Sequence, residues 1–239
     1  MSFAFALTAC LTVYNRAPIT SGGWSKQTVY LWLLDSWHGQ DKYAKARLLL
    51  IDDDCGDGIC QLKRICDETG FKAAFAVIPS RLSTENCDSL LRWQQDGYSV
   101  CLHGYNHDDW EKWSVQDITH DIERSEKMLR QKGIKEPYRY VVTPYGRNNH
   151  AVREAISAKG YQMITGARLV NPDTTVFQLG RVFVDKDTDM KSMEELLRKA
   201  KRHNSFVILG THSSNPDEFS PEKTKSILKM AKQMNFQTI

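Results

Sequence analysis

His103 and His107 stand four residues apart in "HGYNH", Asp52, Asp53 and Asp54 end the aliphatic run in "LLLIDDDCGDG", and His212 closes "SFVILGTH". Imidazoles at i and i+4 turn toward one point on a helical turn or a tight loop. With one carboxylate they form a facial two-His, one-Asp set, which leaves positions open for water and substrate as a catalytic metal requires. Three adjacent carboxylates repel one another and make poor strand, so a strand end keeps them where something nearby favours negative charge. An Asp-rich turn that only caps the next helix is the plainer use of the same residues. An EF-hand loop is excluded, because counting from Asp52 places Lys63 where the closing Glu belongs.

Groups so far apart in the chain need a scaffold that gathers them. From residue 47 onward, short apolar runs alternate with amphipathic stretches of helical period, the pattern of repeated β/α units. The predicted strands are 47–52, 72–78, 98–103, 139–144, 161–165, 179–184 and 205–212. Seven parallel strands suffice to close a barrel. Right-handed crossovers put all their C-terminal ends on one rim, where α/β folds build their sites. The Asp triplet, "HGYNH", "TPYG" and "THSS" all fall there.

The intervening helices have readable ends. Ser114 caps a helix near 114–131, with Asp117 three residues on and Val115, Ile118, Ile122 and Leu129 as its inner stripe. Ser220 and Pro221 open another, and Gly133 and Gly160 end helices. Residues 1–46 lack this rhythm and are expected to form an extension covering one end of the barrel, leaving 47–239 as the β/α domain.

A net charge of +3 over 239 residues, with no basic run to track a phosphate backbone, disfavours nucleic acid as partner. No apolar run is long enough to span a bilayer, since "TVYLWLLDSW" stops at Asp35. The opening "MSFAFALTACL" looks like the tail of a lipoprotein signal at Cys10, but it lacks a basic start and reads equally as a first strand. The six cysteines form no CxxC pair and are expected mostly as buried thiols, while His38, His120, His150 and His203 are expected on solvated faces.

An Asp pair after the first barrel strand, H-x-x-x-H after the third, P-Y-G after the fourth and a single late His together resemble the polysaccharide deacetylase family. This family is also called NodB-homology or carbohydrate esterase family 4, and the resemblance covers about residues 45–239. "FKAAFAVIP" resembles the family's second strand and "GYSVCLHGYNHDDW" its metal-binding strand and loop. The resemblance implies a distorted (β/α)7-type barrel, with 47–239 as its catalytic domain, that removes acetyl groups from N- or O-acetylated sugars with one divalent metal, commonly zinc. It makes His103, His107 and Asp54 the metal ligands, Asp53 the catalytic base and His212 the general acid. By the same resemblance Tyr145, beside Pro144, matches the residue whose backbone N–H helps hold the oxyanion, and a polymeric substrate favours the cell envelope or extracellular space.

Three departures bear on this. The usual T-F-D-D-G reads "IDDDC", which leaves open a register one residue earlier. Val142 stands where an Arg typically orients the base, making Arg181 or Arg147 the candidates to replace it. Gly210 replaces the Leu of L-x-H, which changes the acetyl-methyl pocket. O-deacetylation and sugar binding without turnover are the alternatives, and Trp110 and Trp113 either stack on sugars or cover the barrel edge.

Overall fold

The aliphatic run Arg47–Asp52 forms β1, which Ala73–Val77 (β2) and Phe206–Thr211 (β8) flank in parallel. The structure, a computed structural model, describes residues 45–239 other than 137, 167–169 and 173. The sheet continues from β2 through Ser99–Leu102 (β3), Tyr140–Val142 (β4) and Gln162–Ile164 (β5) to Gln178–Leu179 (β6), every pairing parallel. On the far side of β8 lies Val182–Phe183 (β7).

The strand order β6-β5-β4-β3-β2-β1-β8-β7 therefore has consecutive pieces of chain at its two ends. The run predicted as one strand over 179–184 is split at Gly180 and Arg181: its first part bonds β5 and its second bonds β8. One short segment serves both edges, which curls the sheet into the barrel that seven runs implied. Asn171 holds this seam. Its side-chain amide exchanges two hydrogen bonds with the backbone of Gly180, at 2.9 and 2.8 Å, and its own backbone exchanges two with Phe206, both at 2.9 Å. A C-terminal strand, Gln237–Thr238 (β9), pairs with the start of β1 and has no counterpart among the predicted runs.

The helices are Ile59–Thr69 (α1), Thr84–Gln95 (α2), Val115–Gln131 (α3), His150–Ala158 (α4), Met190–Arg202 (α5) and Pro221–Gln233 (α6). Ser114 Oγ accepts from Asp117 N and Ser220 Oγ from Lys223 N, so both predicted caps form. Gly133 and Gly160 follow α3 and α4 in left-handed conformation.

The barrel interior is a cluster of strand residues taken two apart: Leu49 and Ile51, Ala74 and Ala76, Tyr140 and Val142, Phe206 and Ile208, joined by Cys101, Ile164 and Leu179. Alternate residues of a strand share a face, so the intervening positions, such as Leu48 and Leu50, turn toward the helices. Both sets are buried, as in parallel sheets generally. Among the described residues, no helix is long and apolar enough to cross a membrane. The five described cysteines are free, four of them buried. Apart from Lys45 and Ala46, the segment expected to cover the barrel lies outside the described residues, as do Cys10 and His38.

Candidate active site

The inward register that builds the core also builds the site. Leu49 and Ile51 lead to Asp53, Cys101 leads to His103, Leu179 to Arg181 and then Phe183, and Ile208 to Gly210 and then His212. Each series continues past the apolar lining onto the C-terminal rim. Asp52 belongs to the opposite series.

Asp54 reaches the rim because the alternation stops there. Its backbone is left-handed (φ 71°), as is that of Cys55 (φ 53°), and this reversal returns Asp54 to the side that Asp53 faces. The Asn86 amide at the start of α2 donates to the carbonyls of Cys55 and Gly56, at 3.1 and 3.2 Å, and so holds the turn. The loop also presses on the end of β8: a Cβ on Gly58 would stand 1.7 Å from the Ser213 carbonyl oxygen. His107 (φ 66°) and Tyr145 (φ 57°) are left-handed too, so four of the seven non-glycine residues with positive φ among the described residues belong to this rim. Such strain of order 1–3 kcal/mol per residue gathers at functional sites.

The carboxylate of Asp54 and the imidazoles of His103 and His107 bring one ligand atom each within 4.8 Å of one another. His103 Nε2 lies 3.6 Å, and His107 Nε2 4.0 Å, from Asp54 Oδ1. His103 Nδ1 lies 2.9 Å from the Val142 carbonyl, so that nitrogen carries the proton and Nε2 presents its lone pair to the cluster. Burial holds both imidazoles below the ordinary histidine pKa, against the pull of Asp53 and Asp54. Neutral imidazole is the form that ligates a metal.

Asp53 lies beside this cluster, almost fully buried. Arg181 Nη1 donates to its Oδ1 at 2.6 Å, and His212 Nε2 is 3.5 Å from its Oδ2. Burial pushes the Asp53 carboxyl upward, but Arg181, His103 and His212 together outweigh that and hold it well below the usual carboxylate range. His212 moves the other way. Its bond to Asp53 and the Glu218 carboxylate, 2.8 Å from Nδ1, raise it to about 9 against the opposing effect of burial. Arg181 thus stands on Asp53, whereas Arg147 pairs at 2.6 Å with Asp109.

Asp52 turns away from the rim. Fully buried, it accepts from Ser213 N (2.8 Å), Ser213 Oγ (2.6 Å) and Thr211 Oγ1 (2.8 Å), tying β1 to the end of β8. Burial lifts its pKa from 3.8 to about 7, despite those donors. The folded chain therefore keeps a proton that the unfolded chain releases above about 3.8, and stability from this group is lost as pH rises toward 7. Asp52→Asn should flatten the fall in stability between pH 4 and 7 in chelator-treated protein, as read by denaturant midpoints. An unchanged slope would contradict the assignment.

Pro144 is buried and opens the 3₁₀ turn Pro144–Gly146, which carries Tyr145. The Tyr145 ring is 59% exposed and lies 4.4 Å from the ring of His107, so it flanks the cluster at the mouth. Trp110 is buried, with its Nε1–H donated to Asp121, which also accepts from Tyr105 N in the His103–His107 loop. Its use is structural. Trp113 lines a separate cavity of about 300 Å³ with Asp117, His120, Asp121 and Arg124. Glu218, Asn86, Asn171 and the Val142 carbonyl support the site without any sequence signal, since each acts through a tertiary contact.

Comparisons with known proteins agree with this architecture. A family profile described as polysaccharide deacetylase matches residues 40–164. The chitin deacetylase of the fungal pathogen Colletotrichum lindemuthianum is 18% identical with a TM-score of 0.61, the match covering 82% of this chain and 86% of that one. A family 4 acetyl xylan esterase from Clostridium thermocellum, solved with a cobalt ion, is 14% identical with a TM-score of 0.59, covering 81% and 87%. A family 4 pseudoenzyme from Bacillus anthracis is 15% identical with a TM-score of 0.59, covering 82% and 63%. A search of curated proteins finds no match. The solved structures share the fold, and the profile spans more than half of the sequence through β5, including both strand ends that carry the Asp triplet and the histidine pair. The chain belongs to the polysaccharide deacetylase family.

Proposed function

We propose that the protein is a metal-dependent hydrolase that removes acetyl groups from N-acetylated sugars of a poly- or oligosaccharide. The observation that carries this reading is the meeting of a His–His–Asp cluster with a buried carboxylate already flanked by a cationic Arg and a His. Two neutral imidazoles and one carboxylate suit a divalent ion that keeps open positions, and zinc is the one such donors favour. Asp54, His103 and His107 would hold it. A divalent ion there supplies Lewis acidity that polarises an acetyl carbonyl and acidifies water.

The protein's own groups do the rest. Asp53, kept ionised by Arg181, accepts the proton of the attacking water at Oδ2, the oxygen that Arg181 leaves uncovered. The Tyr145 N–H meets the charge that develops on the carbonyl oxygen. His212, kept protonated by Asp53 and Glu218, gives its proton from Nε2 to the departing amine. Such a polymer is met at the cell envelope or outside the cell, which favours that location.

Acetate release from a panel of N- and O-acetylated glycans, measured with metal content, tests the reading. Release from none of them by metal-loaded protein would overturn it. The same groups serve an O-acetyl ester, and the Clostridium thermocellum protein of this fold is an acetyl xylan esterase, so preference within the panel separates the two. His212→Ala should retain metal and lose about 10²- to 10⁴-fold in turnover, the range for a general acid. The loss should shrink for an aryl acetate whose leaving group departs without a proton, and the falling limb of the pH profile near 9 should vanish with it. Equal losses on both substrates would remove the acid role.

A further inference from the structure

Two residues of the barrel lining have no part in that mechanism. Phe183 is the inward residue two beyond Arg181, and Gly210 is its register partner on β8. The Arg181 guanidinium lies over the Phe183 ring, 4.6 Å from its centroid. The His212 imidazole stacks on the same ring at 5.0 Å, with 27° between the planes. These are the two cationic groups that contact Asp53 on either oxygen. Among the described residues, the buried Nε of Arg181 has no hydrogen-bond partner.

Gly210 makes the arrangement possible. A Cβ there would stand 3.1 Å from Arg181 Cδ and 3.2 Å from Phe183 Cε1, so both would have to give by a few tenths of an ångström. The glycine at this position and the arginine that reaches Asp53 from β7 are thus parts of one packing solution.

We propose that Phe183 is a positioning residue for both partners of Asp53, with Gly210 providing the space it needs. A ring face attracts a guanidinium and a protonated imidazole alike. Contact with the one ring keeps Arg181 on Oδ1 and holds His212 beside Oδ2, the oxygen that Arg181 leaves uncovered. The inference rests on the roles given above to Asp53 and His212, so its test includes a measurement that needs no activity.

Phe183→Leu keeps apolar bulk and removes the π face. It should lower kcat about tenfold, with KM within about twofold and metal content unchanged. Phe183→Tyr should stay within about threefold of the unaltered protein. Gly210→Ala should lose as much as Phe183→Leu, and the double variant should lose less than the product of the two, because both disturb the same contact. A crystal structure of Phe183→Leu should show Arg181 Nη1 displaced from Asp53 Oδ1. Full kcat in the Leu variant, an equal loss in the Tyr variant, multiplicative losses in the double variant, or an unmoved Arg181 would overturn the proposal. Failure of the unaltered protein to release acetate counts against the deacetylase reading instead, and the crystal comparison still decides the positioning.

Discussion

Asp53→Asn should retain the metal and lose at least about 10³-fold in acetate release, near the upper end of what a base contributes. The loss has two sources. The amide takes no proton from water at neutral pH, and it leaves the buried Arg181 without its anion, at 2.6 Å in the native protein. An unpaired buried charge is costly, so the variant should also unfold at lower denaturant concentration. Asp53→Asn/Arg181→Met removes both partners and should recover much of that stability while recovering none of the activity. Activity within tenfold of the unaltered protein in Asp53→Asn would exclude Asp53 as the base.

His103→Ala should abolish stoichiometric metal binding and, with it, acetate release. His103 supplies one of three ligand atoms and is the most buried of the set. Loss of an outer partner typically costs roughly 10–100-fold in metal affinity, and loss of a ligand itself should exceed that. Metal analysis after gel filtration reads the binding directly. A second measurement is independent of turnover: added zinc should raise the unfolding midpoint of the unaltered protein and leave that of His103→Ala unmoved, since a ligand stabilises only a state that binds it. Asp54→Ala should behave likewise, and Asp52→Asn should bind normally. The register is one residue earlier if Asp52→Asn loses turnover and Asp53→Asn loses metal.

That register question shows where reading from sequence reached its limit. The run "RLLLID" declares a strand, but with both faces of a parallel sheet buried, nothing in it says which parity faces the barrel axis. Only the packing of Leu49 and Ile51 with Ala74 and Ala76 sets Asp53 inward and Asp52 outward. The histidine pair was legible because four-residue spacing is local. The arginine on Asp53 was legible only as a choice between two, since Arg181 reaches it across 128 positions of sequence. Glu218 gave no sign, because a carboxylate in a polar loop resembles any other until a fold sets it 2.8 Å from His212. The run at 179–184 was legible as β structure but not as a piece shared between two neighbours, which depends on barrel closure.

The shared piece has a consequence for how the rim is assembled. Arg181 sits at the break between β6 and β7, so its approach to Asp53 depends on the same event that joins the first and last neighbours of the sheet. The contact between Arg181 and Asp53 spans 128 positions of sequence, and such contacts are slow to form. With that seam open, the triplet of carboxylates would stand without the guanidinium that pairs with Asp53. Completion of the barrel and arrival of the counter-ion of Asp53 are then one step.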